Sequence, residues 1–197
     1  SGRYFEYYSE DPVLIGKLAS EVVRGSVNSG LYCYMKHFAV SEEGINPENV
    51  KTWITEQALR ETYLRPFEIT TKEGKANAAM TAFNCLGAVW CGACDPLNND
   101  ILRTEWGFRG SLITDWSLGR PYMNGMQAIR AGNDLMMDSG EYFDSSPTTV
   151  SLLRTAVKNT LYTFVDTYTR ASAWQAGGDQ DDRYSVELKV EVTESPF

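Results

Sequence analysis

Asp115 closes the run Gly110-Ser111-Leu112-Ile113-Thr114 and is followed directly by Trp116. Short apolar and β-branched runs bounded by glycine read as buried strands. A carboxylate at the mouth of such a strand, backed by an indole, either reacts or caps the helix expected after Leu118. Lys36 and His37 sit in a second apolar and aromatic run, LYCYMKHFAV, residues 31–40. His37 is the only histidine, so a Ser–His–Asp hydrolase would have to use it. A lone histidine at a strand end is otherwise a hydrogen-bonding group, and His37 is assigned to binding rather than to proton transfer. Cys91-Gly92-Ala93-Cys94 forms a CxxC, the spacing of a redox pair or of half a zinc site. Zinc would need two further ligands from Cys33, Cys85 and His37. With no second CxxC, the four cysteines read as small buried thiols, too few for a disulfide scaffold.

Helical and strand-like patterns alternate along the chain that carries these residues. Residues 11–27 open on Asp-Pro and place apolar residues at helical spacing, which predicts a helix. A strand is expected over 31–40, a long helical region over 46–74, a strand over 77–84 and a helix over 95–108 stopped by Gly107. A third strand is expected over 111–116, a short helix over 123–132 closed by Gly132, a fourth strand over 134–137 and a last helix over 149–171. A helix followed by four strand–helix units implies an α/β fold of parallel strands with crossover helices. Chemistry in such folds sits at the carboxyl ends of the strands. Here those ends carry Lys36-His37, Phe83-Asn84, Thr114-Asp115-Trp116 and the neighbourhood of Asp138. Residues 173–197 differ: AGGDQDD has linker composition, and YSVELKVEVT alternates like a β-strand.

Composition limits the partners. The net charge of −8 and pI near 4.7 argue against nucleic acid and anionic membrane, which would repel the chain. No apolar run approaches the roughly 20 residues of a membrane helix, and no signal-peptide pattern opens the sequence. The content of 43% hydrophobic and 22% charged residues is that of a globular chain able to bury a core. The cysteines leave the compartment open.

Six stretches, GRYFEYYSEDP, YMKHFAV, TEQALRETYLRPFE, AMTAFN, ILRTEWGFRGSLITDW and AIRAGNDLMM, occur in that order over residues 2 to about 172. Together they resemble glycoside hydrolase family 3, and YMNGMQAIRAGNDLMM is closer to bacterial β-glucosidase-like members. The resemblance implies a retaining β-glycosidase on a (β/α)8 barrel that needs no cofactor and no metal, with a carbohydrate as its substrate. It makes Asp115 the nucleophile, Lys36, His37 and Arg3 the groups that hold sugar hydroxyls, and Trp116 the wall against the ring. The chemistry suits those residue types. Retaining hydrolysis needs one carboxylate to attack the anomeric carbon and an acid about 5 Å away to protonate the leaving oxygen. Cations and an aromatic wall match a sugar's hydroxyls and apolar C–H faces.

The sequence departs from the family pattern in several places. Members often follow Lys-His-Phe-Ala with an Asn-rich segment holding Gln-Glu-Thr-Asn-Arg, where this chain has VSEEGINPEN. The tyrosine of the usual Ser-Tyr-Asn is Phe83 here, so that phenol is missing. The Lys-His-Phe-Pro-Gly-His loop of related hexosaminidases is absent, since there is no second histidine. The motifs span only the second half of a barrel, expected over residues 1–172. The acid/base glutamate is expected on a second domain, with Glu42 and Glu43 as unfavoured substitutes. The chain therefore reads as one piece of a larger enzyme. Half a barrel exposes edge strands, so a second copy or a partner carrying the missing half is expected. The alternative is a non-catalytic half-barrel serving as a sugar-binding or assembly module. The native sugar, glucose, xylose or another, stays open.

Overall fold

A computed structural model of the chain describes residues 4–41, 48, 50–137 and 143–176. A short 3-10 turn, Tyr4–Glu6, leads into α1, Pro12–Asn28. Asp11 caps α1 by accepting from the Val13 and Leu14 amides, both at 2.8 Å, with Pro12 in the first helical position. The strands β1 (Met35–Phe38), β3 (Ala78–Thr81), β6 (Ser111–Trp116) and β7 (Leu135–Met137) form one four-stranded sheet in the order β1-β3-β6-β7, every pair parallel. Parallel neighbours need crossover connections. These are α2 (Glu56–Ala58) continuing into α3 (Arg65–Lys72), a helical segment Pro96–Glu105, and α4 (Gly125–Arg130). The long helix α5 (Pro147–Gln175) follows β7. These are the parallel strands with crossover helices that the alternation implies, and they make up half of the TIM-type barrel that the family resemblance implies.

Several expected boundaries move. The strand expected over 31–40 starts only at Met35, because Tyr32 stands edge-on to Tyr34 and to Phe164 of α5 instead of joining a ladder. The helical region expected from residue 46 begins at Glu56, capped by Thr55. Ahead of it, β2 (Lys51–Thr52) pairs in parallel with β4 (Cys85–Leu86), which turns through Gly87 into β5 (Val89–Trp90). This second, three-stranded sheet has no counterpart in the sequence reading. Two helical stretches are wound with wide π turns: Leu59–Tyr63, where the Leu64 amide reaches the Leu59 carbonyl at 2.8 Å, and Pro96–Glu105, where the Trp106 amide reaches the Ile101 carbonyl at 3.1 Å.

The core lies between the sheet and its helices, with Phe38, Leu64, Leu97, Leu102 and Leu112 fully buried. The CxxC thiols belong to it: Cys91 and Cys94 are buried and free, and burial pushes the Cys91 thiol up to about 12. At the amino ends of the strands, side chains of α5 and of Asp134, just before β7, add to the backbone bonds Ser111 to Asn77 at 3.2 Å and Asp134 to Leu112 at 2.7 Å. Thr163 Oγ1 donates to the Asn77 carbonyl at 2.6 Å and accepts from the Ser111 amide at 2.8 Å. Asp134 accepts from the Leu112 amide at 2.7 Å, from Asn159 at 2.8 Å and from Arg103 at 2.7 Å. That end of the sheet is locked, which leaves the carboxyl ends for chemistry. Among the described residues no helix is long and apolar enough to cross a membrane. The linker and strand expected within 173–197 fall, from residue 177 onward, outside the described residues.

Candidate functional site

β6 brings Asp115 to the carboxyl end of the sheet, where the residue is 8% exposed. It does not cap a helix. Its Oδ1 accepts from the Trp116 amide at 2.7 Å, and the next helix, α4, is capped by Asn124, which accepts from Gln127. Across β3, His37 Nε2 of β1 lies 3.3 Å from Asp115 Oδ2, the two side chains being 8% and 11% exposed. Thus the sole histidine and the strand-end aspartate, 78 positions apart in the numbering (115 − 37), meet over the middle of the sheet. The peptide bonds Lys36–His37 and Phe38–Ala39, on either side of this point, are both cis.

Lys36 is not paired with Asp115. Its Nζ lies 2.9 Å from Glu6 Oε2, which ties the turn Tyr4–Glu6 to β1. Trp116 is 46% exposed, an aromatic face beside the carboxylate and open to an incoming ring. Arg3, Glu42, Glu43 and Asp138 lie outside the described residues. Phe83 and Asn84 follow β3 as expected. Asn84 donates to the Ala39 carbonyl at 3.2 Å, bracing the end of β1, and the Phe83 carbonyl accepts from Tyr122 Oη at 3.1 Å.

Arg120 was missed in the sequence. Its guanidinium lies 4.8 Å from the Phe83 ring centroid, donates to the Trp116 carbonyl at 3.0 Å, and pairs with Glu48. Nothing in the local pattern SLGRPY marks that arginine, because its partners come from three separate loops. A cleft of about 550 Å³ lies apart from the site, lined by Cys85, Trp90, Asp95, Tyr122, Gln127 and Arg130, and none of the sequence-predicted site residues borders it. Among the described residues no group of three or more His, Cys, Asp or Glu could hold a metal ion.

A nearly buried carboxylate, a neighbouring imidazole and an exposed indole can together hold a polyol ring and attack an electrophilic carbon. Comparison with known proteins identifies the family. Residues 1–164 match the model of the glycosyl hydrolase family 3 N terminal domain. Beta-glucosidase B of Emericella nidulans is 41% identical over 136 residues, covering 69% of this chain and 16% of that protein. The beta-glucosidase of Ruminococcus albus is 37% identical over 144 residues, 70% of this chain and 15% of its own length. Among solved structures, beta-glucosidase 3B from Thermotoga neapolitana in complex with α-D-glucose superposes with a TM-score of 0.75 at 35% identity, covering 86% of this chain and 26% of that one. The Kluyveromyces marxianus beta-glucosidase in complex with glucose gives a TM-score of 0.76 at 28% identity, over 96% and 24% of the two chains. The chain thus spans about a sixth of the curated relatives it matches.

Proposed function

This chain belongs to glycosyl hydrolase family 3, and from that premise we propose that it supplies the nucleophile of a β-glucosidase-like retaining glycosidase. Asp115 attacks the anomeric carbon of a terminal β-linked sugar. The bond from that carbon to the leaving oxygen breaks, the oxygen keeps the electron pair, and a glycosyl ester on Asp115 remains until water displaces it. His37, Lys36 and Arg3 take sugar hydroxyls, and Trp116 stacks on the ring. The acid that protonates the leaving oxygen comes from a glutamate on a second domain. The second half of the barrel, expected over 1–172, runs on to the end of α5 at Gln175, and the rest of the chain to 197 is a linker and strand. A glucose-type pyranoside is the substrate class, in keeping with the glucose in the two solved relatives. The half-barrel also associates, with a second copy or with the half it lacks. Among the described residues β1 and β7 bound the sheet, and Leu161, Phe164 and Tyr168 leave half or more of their surface exposed on α5.

The approach of His37 to Asp115 at 3.3 Å carries this reading, since it gathers two of the expected sugar-site residues from different strands. The test is a substrate whose leaving group needs no acid, 2,4-dinitrophenyl 2-deoxy-2-fluoro-β-D-glucoside. Dinitrophenolate departs with the bonding electron pair, and the sugar stays on the carboxylate that attacked. Peptide mapping by mass spectrometry is expected to find the sugar on Asp115 and none in Asp115→Asn. Labelling elsewhere, or labelling that survives Asp115→Asn, contradicts the assignment.

A further inference from the structure

We propose that Arg120 is a positioning residue for the nucleophile, acting through the Trp116 peptide. The inference rests on the reading of Asp115 as nucleophile. The Arg120 guanidinium joins three segments at the carboxyl ends of the strands. Within its own loop, Nη1 donates to the carbonyls of Trp116 at 3.0 Å and of Leu118 at 3.2 Å. At the end of β3 the guanidinium packs on Phe83, 4.8 Å from the ring centroid. From the segment between β1 and β2, Glu48 pairs with Nη2. The Arg120 side chain is 19% exposed and that of Glu48 49%, so the guanidinium itself is mostly covered while its arm to Glu48 lies at the surface.

The link to the chemistry is the residue it grips. The amide of Trp116 donates to Asp115 Oδ1 at 2.7 Å, and the carbonyl of Trp116 accepts from Arg120. The amide lies in the 115–116 peptide and the carbonyl in the 116–117 peptide, so Arg120 bears on the tilt of the carboxylate through the Trp116 backbone that joins the two planes, and on the half-exposed indole carried by the same residue. The turn is also tied to β7, since the Ser117 amide and hydroxyl donate to the Met137 carbonyl at 3.1 and 2.8 Å. Within it the Arg120 amide donates to the Ser117 carbonyl at 3.0 Å and the Arg120 carbonyl accepts from the Met123 amide at 2.9 Å, so the arginine is part of the turn it clamps. A planar, permanently charged fork can donate to two carbonyls, pair with a carboxylate and stack on a ring at once, and a lysine ammonium cannot.

The experiment compares the intact 197-residue chain with Arg120→Lys, which keeps the charge and loses the fork. Two readings are taken: the Trp116 backbone amide in a ¹H–¹⁵N spectrum, and the rate of transfer from the dinitrophenyl fluoroglucoside onto Asp115. Because a displacement of roughly 1 Å at a reacting centre costs on the order of a hundredfold, the variant is expected to transfer at least about tenfold more slowly. Its Trp116 amide is expected to shift while the thermal midpoint stays close to that of the parent. An unmoved Trp116 amide overturns the proposal, and so does an undiminished rate. Should the parent itself fail to label Asp115, the nucleophile assignment falls, and the amide reading alone decides whether Arg120 orients the Trp116 peptide. Should Arg120→Lys not fold, Glu48→Gln is read the same way, since it removes one exposed arm of the clamp and leaves the arginine. A smaller change of the same sign in both readings supports the proposal, and none overturns it.

Discussion

Replacing Arg103 by leucine should destabilise the chain severely, and by a pH-dependent amount. Arg103 Nη2 lies 2.7 Å from Asp134 Oδ2, with side-chain exposures of 15% and 2%. It also donates to the carbonyls of Gly132 at 2.7 Å and Gly110 at 3.1 Å. Asp134 in turn holds the Leu112 amide of β6, three residues before Asp115. Arg103→Leu leaves a buried carboxylate with two neutral donors, the Leu112 amide and Asn159, and no cation. Removing one partner of a buried ion pair costs about 3–5 kcal/mol. At about 2–4 °C per kcal/mol for a chain of this size, the midpoint should fall by about 6–20 °C. Burial holds the Asp134 carboxyl above its usual value while Arg103 pulls it down. Between the unfolded and the raised native value, the folded state keeps a proton that the unfolded chain has shed. Asp134's contribution is therefore most favourable below that window and declines as pH rises through it. Without Arg103 the window extends upward, so the loss should be smaller at pH 5 than at pH 7. Urea unfolding followed by circular dichroism at both pH values measures it. A loss below about 1 kcal/mol, or one identical at the two pH values, refutes the reasoning.

A methyl group at position 110 would stand 1.8 Å from the Asn77 carbonyl oxygen, a backbone atom that cannot swing away. Gly110→Ala should therefore cost more than the roughly 1–3 kcal/mol of ordinary overpacking, and a thermal midpoint near the parent's would contradict the close approach of β6 to Asn77. Native-state alkylation near pH 8 should label Cys33, the half-buried thiol, and spare Cys91, which is fully buried with its thiol pushed up to about 12; comparable labelling of Cys91 counted by intact mass would refute this. Sedimentation at micromolar concentration should find a species heavier than the 22.1 kDa monomer, and a stable monomer would refute the association. The chain alone should hydrolyse a natural disaccharide negligibly, since the proposed acid lies on a second domain. Steady turnover that is lost in Glu43→Gln would show that the acid lies in this chain.

What the sequence made legible was local. The Asp11-Pro12 start of α1, the Gly132 stop after α4, and the run Ser111–Trp116 all declare themselves through backbone chemistry within a few residues. Gly107 and Gly132 adopt φ of 73° and 91°, the left-handed values that make glycine a reliable stop. The misreadings are tertiary. Tyr32 and Tyr34 look like strand residues and instead pack edge-on, with Tyr32 reaching Phe164. Lys51–Thr52 looks like the lead of a helix, yet pairs with Cys85–Leu86, a partner that pattern alone cannot supply. The site divides in the same way. Asp115 and His37 were visible as strand-end residues, whereas the pairing of Lys36 with Glu6 and the reach of Arg120 to Phe83 and Glu48 depend on how separate loops fold together.

The proposal that His37 and Asp115 share one sugar site is most directly tested through the chain's only histidine. A ¹H–¹³C spectrum of the imidazole gives one Cε1–H signal for His37, with no assignment ambiguity. It should move in Asp115→Asn, because the carboxylate 3.3 Å away is lost, and it should move saturably in the parent when glucose is added. A signal indifferent to both changes would place His37 away from Asp115 and from the sugar, and would contradict the account.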